Sequence, residues 1–128
     1  MINVICAEDC GNAPKKQQLK DYTIACANNN FSSAAAFVTD TIVWDIVGQE
    51  RFEGISQYTQ ALERLKEENI TELHIENIIT HGNTGAINGT KKLGNGTTIA
   101  FCDVFIFTST RRNSSIKAIS SYRIPLCS

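Results

Sequence analysis

Residues 37–48 read Phe-Val-Thr-Asp-Thr-Ile-Val-Trp-Asp-Ile-Val-Gly, and their apolar and β-branched side chains predict a buried β-strand over 41–47. Asp45 interrupts this strand, and Asp103 interrupts a second predicted strand, over 97–109, in the same way. Burying an ionised carboxylate is costly unless it is paired, solvated through a cavity or kept neutral by a raised pKa. Two such aspartates in one small domain suggest a pocket with acid–base chemistry, although a structural ion pair or a solvent-facing sheet gives the same pattern.

The composition is that of an ordinary globular domain. The chain has 128 residues, 42% hydrophobic and 20% charged, which suits one domain with its own core. Its net charge is -1 and neither sign forms a block, which argues against a nucleic-acid-binding surface. The N-terminus lacks the features of a signal peptide, and no apolar stretch approaches the ~20 residues of a membrane span. We therefore expect a cytoplasmic protein that binds neither nucleic acid nor membranes.

The 5 cysteines predict reduced thiols. Their number is odd, they form no Cys-x-x-Cys pair, and there are only 2 histidines to join them as metal ligands. Cys6 and Cys10 have a spacing that a zinc site can use, but no second pair follows at a suitable distance. We expect no metal and no cofactor, and we interpret Cys26 and Cys102 as small core-filling residues.

Hydrophobic periodicity predicts the element order α-α-β-α-β-β-β-β. A helix capped by Asn12 is expected over about 13–27, a short second helix begins at Phe31, and a third begins at Ile55 after a loop. The strands are expected over 41–47, 71–80, 84–91, 97–109 and 115–124, with a hairpin turn after Leu93. This order is typical of the α+β class, in which helices cover one face of a curved antiparallel sheet. We divide the chain into an N-terminal arm, 1–12, and a single domain, 13–128.

The chain resembles the nuclear transport factor 2-like superfamily, and within it the ketosteroid-isomerase and SnoaL-like polyketide-cyclase branch. The resemblance covers roughly 13–126 in element order and spacing, and its most specific parts are 37–48 and Phe52-Glu-Gly-Ile at a helix start. It implies a cone-shaped, cystatin-like domain with an internal pocket for a small organic ligand. It also implies a homodimer formed through the open sheet face, for which the candidate residues are Ile78, Ile106, Ile116 and Tyr122.

The resemblance implies three catalytic residues. Asp45 stands where the family has the base that moves a proton between carbons. Tyr22 on the first helix matches the donor to the developing enolate oxygen, and Asp103 matches a protonated aspartate that shares this role. Proton abstraction next to a carbonyl needs a base, a place for negative charge and a dry wall around them. The resulting hypothesis is a cofactor-free isomerase or cyclase.

The predicted pocket wall combines apolar residues with one cation. Phe101 and Phe105 share a strand face with Asp103, and Ile119 and Arg123 share a face of the last strand. The resemblance implies that this is the pocket face and that Arg123 replaces an apolar aromatic of the steroid enzymes. Arg123 could pair with an aspartate, hold an anionic substrate or lie in water at the rim. It favours a smaller or more polar ligand than a steroid.

Structural roles compete with each catalytic role. Tyr22 could be a core tyrosine, Asp45 could cap the next loop or pair with Arg51, and Asp103 could face solvent or a partner subunit. A hydrolase, in which Asp45 and Asp103 with Arg123 activate water, is a second enzymatic hypothesis. A non-catalytic ligand-binding or dimerisation module is the competing functional class.

Overall fold

The computed structural model describes residues 2–7, 11, 13–67 and 69–126. Its helices and strands, in chain order, are β1 (Asn3–Cys6), α1 (Pro14–Ala27), α2 (Phe31–Ala35), β2 (Val38–Ile46), β3 (Glu50–Glu53), α3 (Ile55–Arg64), β4 (Ile70–His81), β5 (Thr84–Leu93), β6 (Thr98–Phe107) and β7 (Ile116–Leu126). None of the described helices is both long enough and apolar enough to cross a membrane. The predicted Asn12 cap and the thiols of Cys10 and Cys127 lie outside the described residues.

The described strands form one sheet in the order β1-β4-β5-β6-β7-β2-β3. Strands β4 to β7 form the predicted antiparallel meander, whereas β1 pairs with β4 and β2 pairs with β7 in parallel. Helix α1 packs on β4 and β5, and α3 packs on β2 and β3. The predicted α+β architecture is confirmed, with a mixed rather than a wholly antiparallel sheet.

Two short strands were not expected from the sequence. Strand β1 lies within the stretch 1–12 that we interpreted as an arm, and it pairs with β4 at one edge of the sheet. Strand β3 lies in the predicted loop after β2 and places Phe52 opposite Trp44. Each has only four residues, so neither is long enough to show a clear alternation of apolar and polar side chains.

Alternation along the strands builds the core between the sheet and the helices. On β2 the inward residues are Ile42, Trp44 and Ile46, as expected for core positions, and all three are buried. Phe105 on β6 is fully buried and packs against Tyr22 of α1. Ile78 and Ile116, two of the four candidates for the dimer interface, are buried in the same core, so they do not belong to the open face.

A bulge in β4 requires glycine in the neighbouring strand. Gly89 on β5 lies opposite Ile75, where the register of β4 shifts before Asn77. A Cβ atom at Gly89 would lie 1.8 Å from the carbonyl oxygen of His74, so no other residue fits without moving the backbone. Because a bulge bends its strand, this position contributes to the curvature that leaves room between sheet and helices.

Candidate ligand-binding and active site

A cavity of about 340 Å³ lies between the helices and the inner face of the sheet. Its apolar walls come from β2, α3 and β6, through Trp44, Ile46, Leu62, Ile99 and Phe101. The volume falls in the range of about 300–1,000 Å³ that is usual for small-molecule sites. The cavity therefore has room for a small organic ligand with an apolar body.

Two tyrosine hydroxyl groups from different helices meet beside this cavity. Tyr22 on α1 lines it, and its hydroxyl oxygen lies 2.5 Å from that of Tyr58 on α3. The ring of Tyr22 packs edge-on against Phe105, and that of Tyr58 packs against Trp44, whose indole Nε1 in turn donates to Ser121 at 2.9 Å. Packed rings on two helices fix the position of the hydroxyl pair.

Burial keeps the polar groups around Tyr22 neutral. Burial raises the pKa of Tyr22 and of Tyr58 well above the ordinary value for tyrosine, and charge on the neighbouring Cys26 would raise both further. Burial also raises the pKa of the Cys26 thiol to about 11. Near neutral pH both hydroxyl groups are protonated, so when Tyr58 donates to Tyr22 the Tyr22 hydroxyl can itself donate towards a ligand oxygen.

Asp103 and Arg123 form an ion pair on the cavity wall. Arg123 on β7 donates from Nη1 to Oδ1 of Asp103 at 2.9 Å and approaches Oδ2 from Nη2 at 3.5 Å. Burial alone would lower the pKa of Arg123, but attraction and hydrogen bonding to Asp103, together with smaller contributions from Glu67 and Cys26, raise it overall. Because Asp103 accepts from a guanidinium group, this pairing suits an acceptor role for Asp103 better than the neutral donor role that the resemblance implied.

A second ion pair lies nearby. The ammonium group of Lys91 on β5 donates to Oε1 of Glu67 at 2.6 Å, and both residues line the cavity. The Lys91 nitrogen lies 5.6 Å from the ring centre of Phe101, and the Arg123 guanidinium carbon lies 5.7 Å from the same ring centre. The site also has members that we did not predict from the sequence, which are Lys91, Glu67, Trp44, Tyr58 and Cys26.

The structure places Asp45 away from the cavity. Its neighbours Trp44 and Ile46 line the cavity, so the side chain of Asp45 projects from the opposite face of the sheet. There it stands opposite Arg51 of β3, whose Nε donates instead to Glu53 at 3.2 Å. This placement corrects the expectation that Asp45 shares a pocket with Tyr22 and Asp103.

The other predicted site residues lie on the expected inner face. Phe101, Asp103 and Arg123 line the cavity, together with Tyr22. Phe105 and Ile119 point to the same side but are buried in the core and do not line the cavity. Among the residues that the structure describes, no three His, Cys, Asp or Glu side chains gather into a metal site.

The buried tyrosines and Cys26 are expected to make the fold sensitive to alkali. In the unfolded chain they ionise near the ordinary pKa of 10.0 for tyrosine and 9.0 for cysteine, whereas burial raises all three values in the folded state. The unfolded state therefore releases protons that the folded state retains. The contribution of these groups to the free energy of unfolding should stay constant below about pH 9 and fall progressively above it.

Urea unfolding at a series of pH values measures how steeply the free energy of unfolding falls with pH. Above about pH 10 the slope should be shallower in Tyr22→Phe than in the wild type, because one buried ionisable group has been removed. An identical slope in the two proteins would show that Tyr22 ionises equally in both states, contrary to the burial seen here.

Comparison with known proteins identifies the fold. No family model and no curated protein matches this chain. A nuclear transport factor 2-like protein of unknown function from Burkholderia xenovorans LB400 superposes with a TM-score of 0.76 at 15% identity, over 94% of this chain and 90% of that one. A putative ketosteroid isomerase from Kribbella flavida DSM 17836 gives 0.71 at 11% identity, over 90% and 81%.

An LEH-like epoxide hydrolase from M. tuberculosis is also similar, with a TM-score of 0.68 at 21% identity over 87% of this chain and 83% of that one. Identities this low show the fold alone. The chain has the nuclear transport factor 2-like fold, as the sequence resemblance implied.

Proposed function

We propose that this protein binds a small organic molecule in the cavity and moves a proton next to its carbonyl group, as a cofactor-free isomerase or cyclase. The observation that carries the proposal is that a buried tyrosine, whose hydroxyl is held by that of a second tyrosine, and a buried carboxylate line one largely apolar cavity. Tyr22 and Asp103 both line it, and both are about nine-tenths or more buried. A donor to an oxyanion and an acceptor for a proton are the two groups that enolisation requires.

In the proposed reaction Asp103 is the base. One of its oxygens takes a proton from the carbon next to the carbonyl, and the electron pair of that C–H bond moves to form the enolate. The hydroxyl of Tyr22, held by Tyr58, donates a hydrogen bond to the enolate oxygen. Asp103 then returns the proton to a different carbon, or the enolate carbon attacks an electrophile within the same molecule.

The geometry of the ion pair leaves Asp103 able to accept this proton. Its Oδ2 atom has only a long 3.5 Å contact with Arg123, and a carboxylate oxygen has two lone pairs. Arg123 holds the carboxylate in place and offsets its charge within a mostly apolar cavity. Asp45 has no part in the proposed reaction because it projects from the other face of the sheet.

A hydrolase is a second candidate, in which Asp103 takes a proton from water instead of carbon. The ion pair with Arg123 favours it, since an oriented carboxylate on a cavity wall also suits water activation. The structural likeness to an epoxide hydrolase supports it only at the level of the fold. A ligand-binding module without turnover is the remaining alternative.

We also propose that the protein is a homodimer through the outer face of its sheet. Tyr122, Ile124 and Leu126 alternate with inward residues on β7 and are 43%, 60% and 44% exposed. Such an apolar row on an open sheet face is suited to contact with a second copy, which sedimentation equilibrium would detect as twice the mass of the 14.1 kDa chain.

Exchange of carbon-bound protons tests the proposed chemistry without knowledge of the natural substrate. β-Tetralone is a small apolar ketone whose α-protons exchange with deuterium oxide and are resolved by proton NMR. The wild-type protein should accelerate this exchange, and Tyr22→Phe should slow it by about 10²-fold because it removes the donor to the enolate oxygen. Tyr122→Phe, on the outer face, is the matched control and should exchange at the wild-type rate.

Equal rates for Tyr22→Phe and wild type would remove the oxyanion role of Tyr22. Exchange no faster with the folded wild-type protein than in buffer would reject proton transfer and leave the ligand-binding module.

A further inference from the structure

The cavity contains charged groups that proton transfer does not require. Three cations, Lys66, Lys91 and Arg123, line it together with two carboxylates, Glu67 and Asp103. Lys66 is 43% exposed and lies 3.9 Å from Glu63, so the buried part of the wall holds two ion pairs, Lys91 with Glu67 and Arg123 with Asp103. A ligand carboxylate can bind there by replacing one of the two carboxylates, because opposite charges attract strongly where water is largely excluded.

Two of these cations, Lys91 on β5 and Arg123 on β7, flank the ring of Phe101 on the strand between them. Lys91 and Arg123 both lie within 6 Å of the ring centre of Phe101, on neighbouring parts of the cavity wall. Lysine residues are rarely buried unless paired, yet Lys91 is only 9% exposed. Its position follows from strand alternation, because Ile87, Gly89 and Lys91 all face inward on β5.

Both cations have N–H groups that donate to no described protein acceptor. Within the described part of the chain, the only acceptor recorded for the three N–H groups of Lys91 is Glu67. Arg123 uses Nη1 and Nη2, and its Nε donates to no described residue. Hydrogen bonds from charged donors are stronger than those from neutral ones, so an acceptor-rich group that enters the cavity would be bound favourably.

The partners of the two cations differ in how firmly they are held. Asp103 sits within β6 with its side chain 9% exposed, whereas Glu67 lies between α3 and β4, outside any helix or strand, with its side chain 26% exposed. Glu67 can rotate towards solvent without disturbing the sheet, and Asp103 cannot. Glu67 therefore holds the place that an external carboxylate could take.

We infer that the natural ligand is a small apolar carboxylic acid whose carboxylate bridges Lys91 and Arg123 and replaces Glu67 on Lys91. Its apolar body lies against Trp44 and Phe101, which places its reactive carbon and carbonyl between Asp103 and Tyr22. This inference names the substrate class for the proposed proton transfer and rests on that proposal for its choice of cavity.

The test compares two probes of nearly identical shape, α-naphthylacetate and the uncharged α-naphthylacetamide, by titration calorimetry. The wild type should bind the acid at least about tenfold more tightly, because charge-assisted hydrogen bonds are roughly twice as strong as neutral ones. Lys91→Met should bring the ratio of the two affinities close to one. Lys92→Met, at the next position but 51% exposed, is the matched control and should keep the wild-type ratio.

A second variant keeps both cations and tests the role of Glu67. Glu67→Gln should tighten binding of the acid and leave binding of the amide unchanged, because a competing carboxylate has been removed. Binding by Glu67→Gln still tests the inference if Lys91→Met fails to fold. Unchanged or weaker acid binding by Glu67→Gln would overturn it, as would a wild type that binds the amide as tightly as the acid or binds no acid at millimolar concentration.

The two experiments distinguish a failure of the inferred substrate class from a failure of the proposed proton transfer. β-Tetralone carries no charge, so its exchange does not depend on Lys91. Accelerated exchange without an acid preference would overturn only the substrate class. An acid preference without accelerated exchange would overturn only proton transfer.

Discussion

Replacing Asp103 by leucine is expected to destabilise the fold by about 3–5 kcal/mol, because Arg123 would be left as a buried and unpaired charge. Arg123→Met should be destabilising by a similar amount, since it leaves the Asp103 carboxylate buried and unpaired. The double variant should recover most of the loss, because an apolar pair of similar volume can replace a buried ion pair at little cost. Denaturant unfolding of the four proteins gives the coupling energy directly.

The exposed pair of Arg64 and Glu50, 2.8 Å apart, is the control for this cycle. Glu50→Gln should change the unfolding midpoint little, since exposed ion pairs contribute little to stability. The account of a buried pair would be contradicted if Asp103→Leu were no more destabilising than Glu50→Gln, or if the losses of the two single variants simply added in the double variant.

Asp103→Asn is expected to slow the exchange of β-tetralone protons by about 10²–10⁴-fold, the range usual for loss of a general base. Asparagine keeps an oxygen that can accept from Arg123, so this variant should fold and should bind the ketone. The amide lacks the basicity of a carboxylate, so the loss should fall on the rate of exchange rather than on binding. Rates measured at saturating ketone by proton NMR separate the two effects.

Wild-type exchange in folded Asp103→Asn would show that Asp103 is not the base. Loss of binding with an unchanged rate at saturation would instead assign it a role in holding the ligand.

The long elements were predictable because each shows a clear pattern. The alternation of Phe101, Asp103 and Phe105 gave the correct inner face of β6, and the apolar positions of α1 gave the correct side for Tyr22. The parallel pairing of β1 with β4 was not predictable, because it joins short segments that are far apart in sequence.

The face of Asp45 was the main error in the sequence-based site. In the run 41–47 apolar residues occupy both faces of β2, so periodicity does not distinguish the two possible orientations. Pairing with β7, which places Trp44 beside Ile119, decides the orientation in the structure. The family resemblance singled out Asp45 as a candidate base. It did not predict the pairing of β2 with β7, on which the direction of the Asp45 side chain depends.

Lys91 and Tyr58, two members of the site that were not predicted, differ in how clearly the sequence indicates them. Alternation from Ile87 through Gly89 predicts an inward Lys91, which we assigned only as the last residue of the predicted strand 84–91. Tyr58 lies at an apolar position of α3. Its hydroxyl group, however, contacts that of Tyr22 on another helix, 36 residues away in the sequence. No local pattern encodes such a contact.

We propose that the chemistry takes place in the cavity at Asp103 and not on the outer face at Asp45. Comparing β-tetralone exchange by Asp103→Asn and Asp45→Asn at saturating ketone tests it most directly. We expect Asp45→Asn to exchange at the wild-type rate and Asp103→Asn to lose the acceleration. Loss of exchange in Asp45→Asn with a wild-type rate in Asp103→Asn would contradict the account.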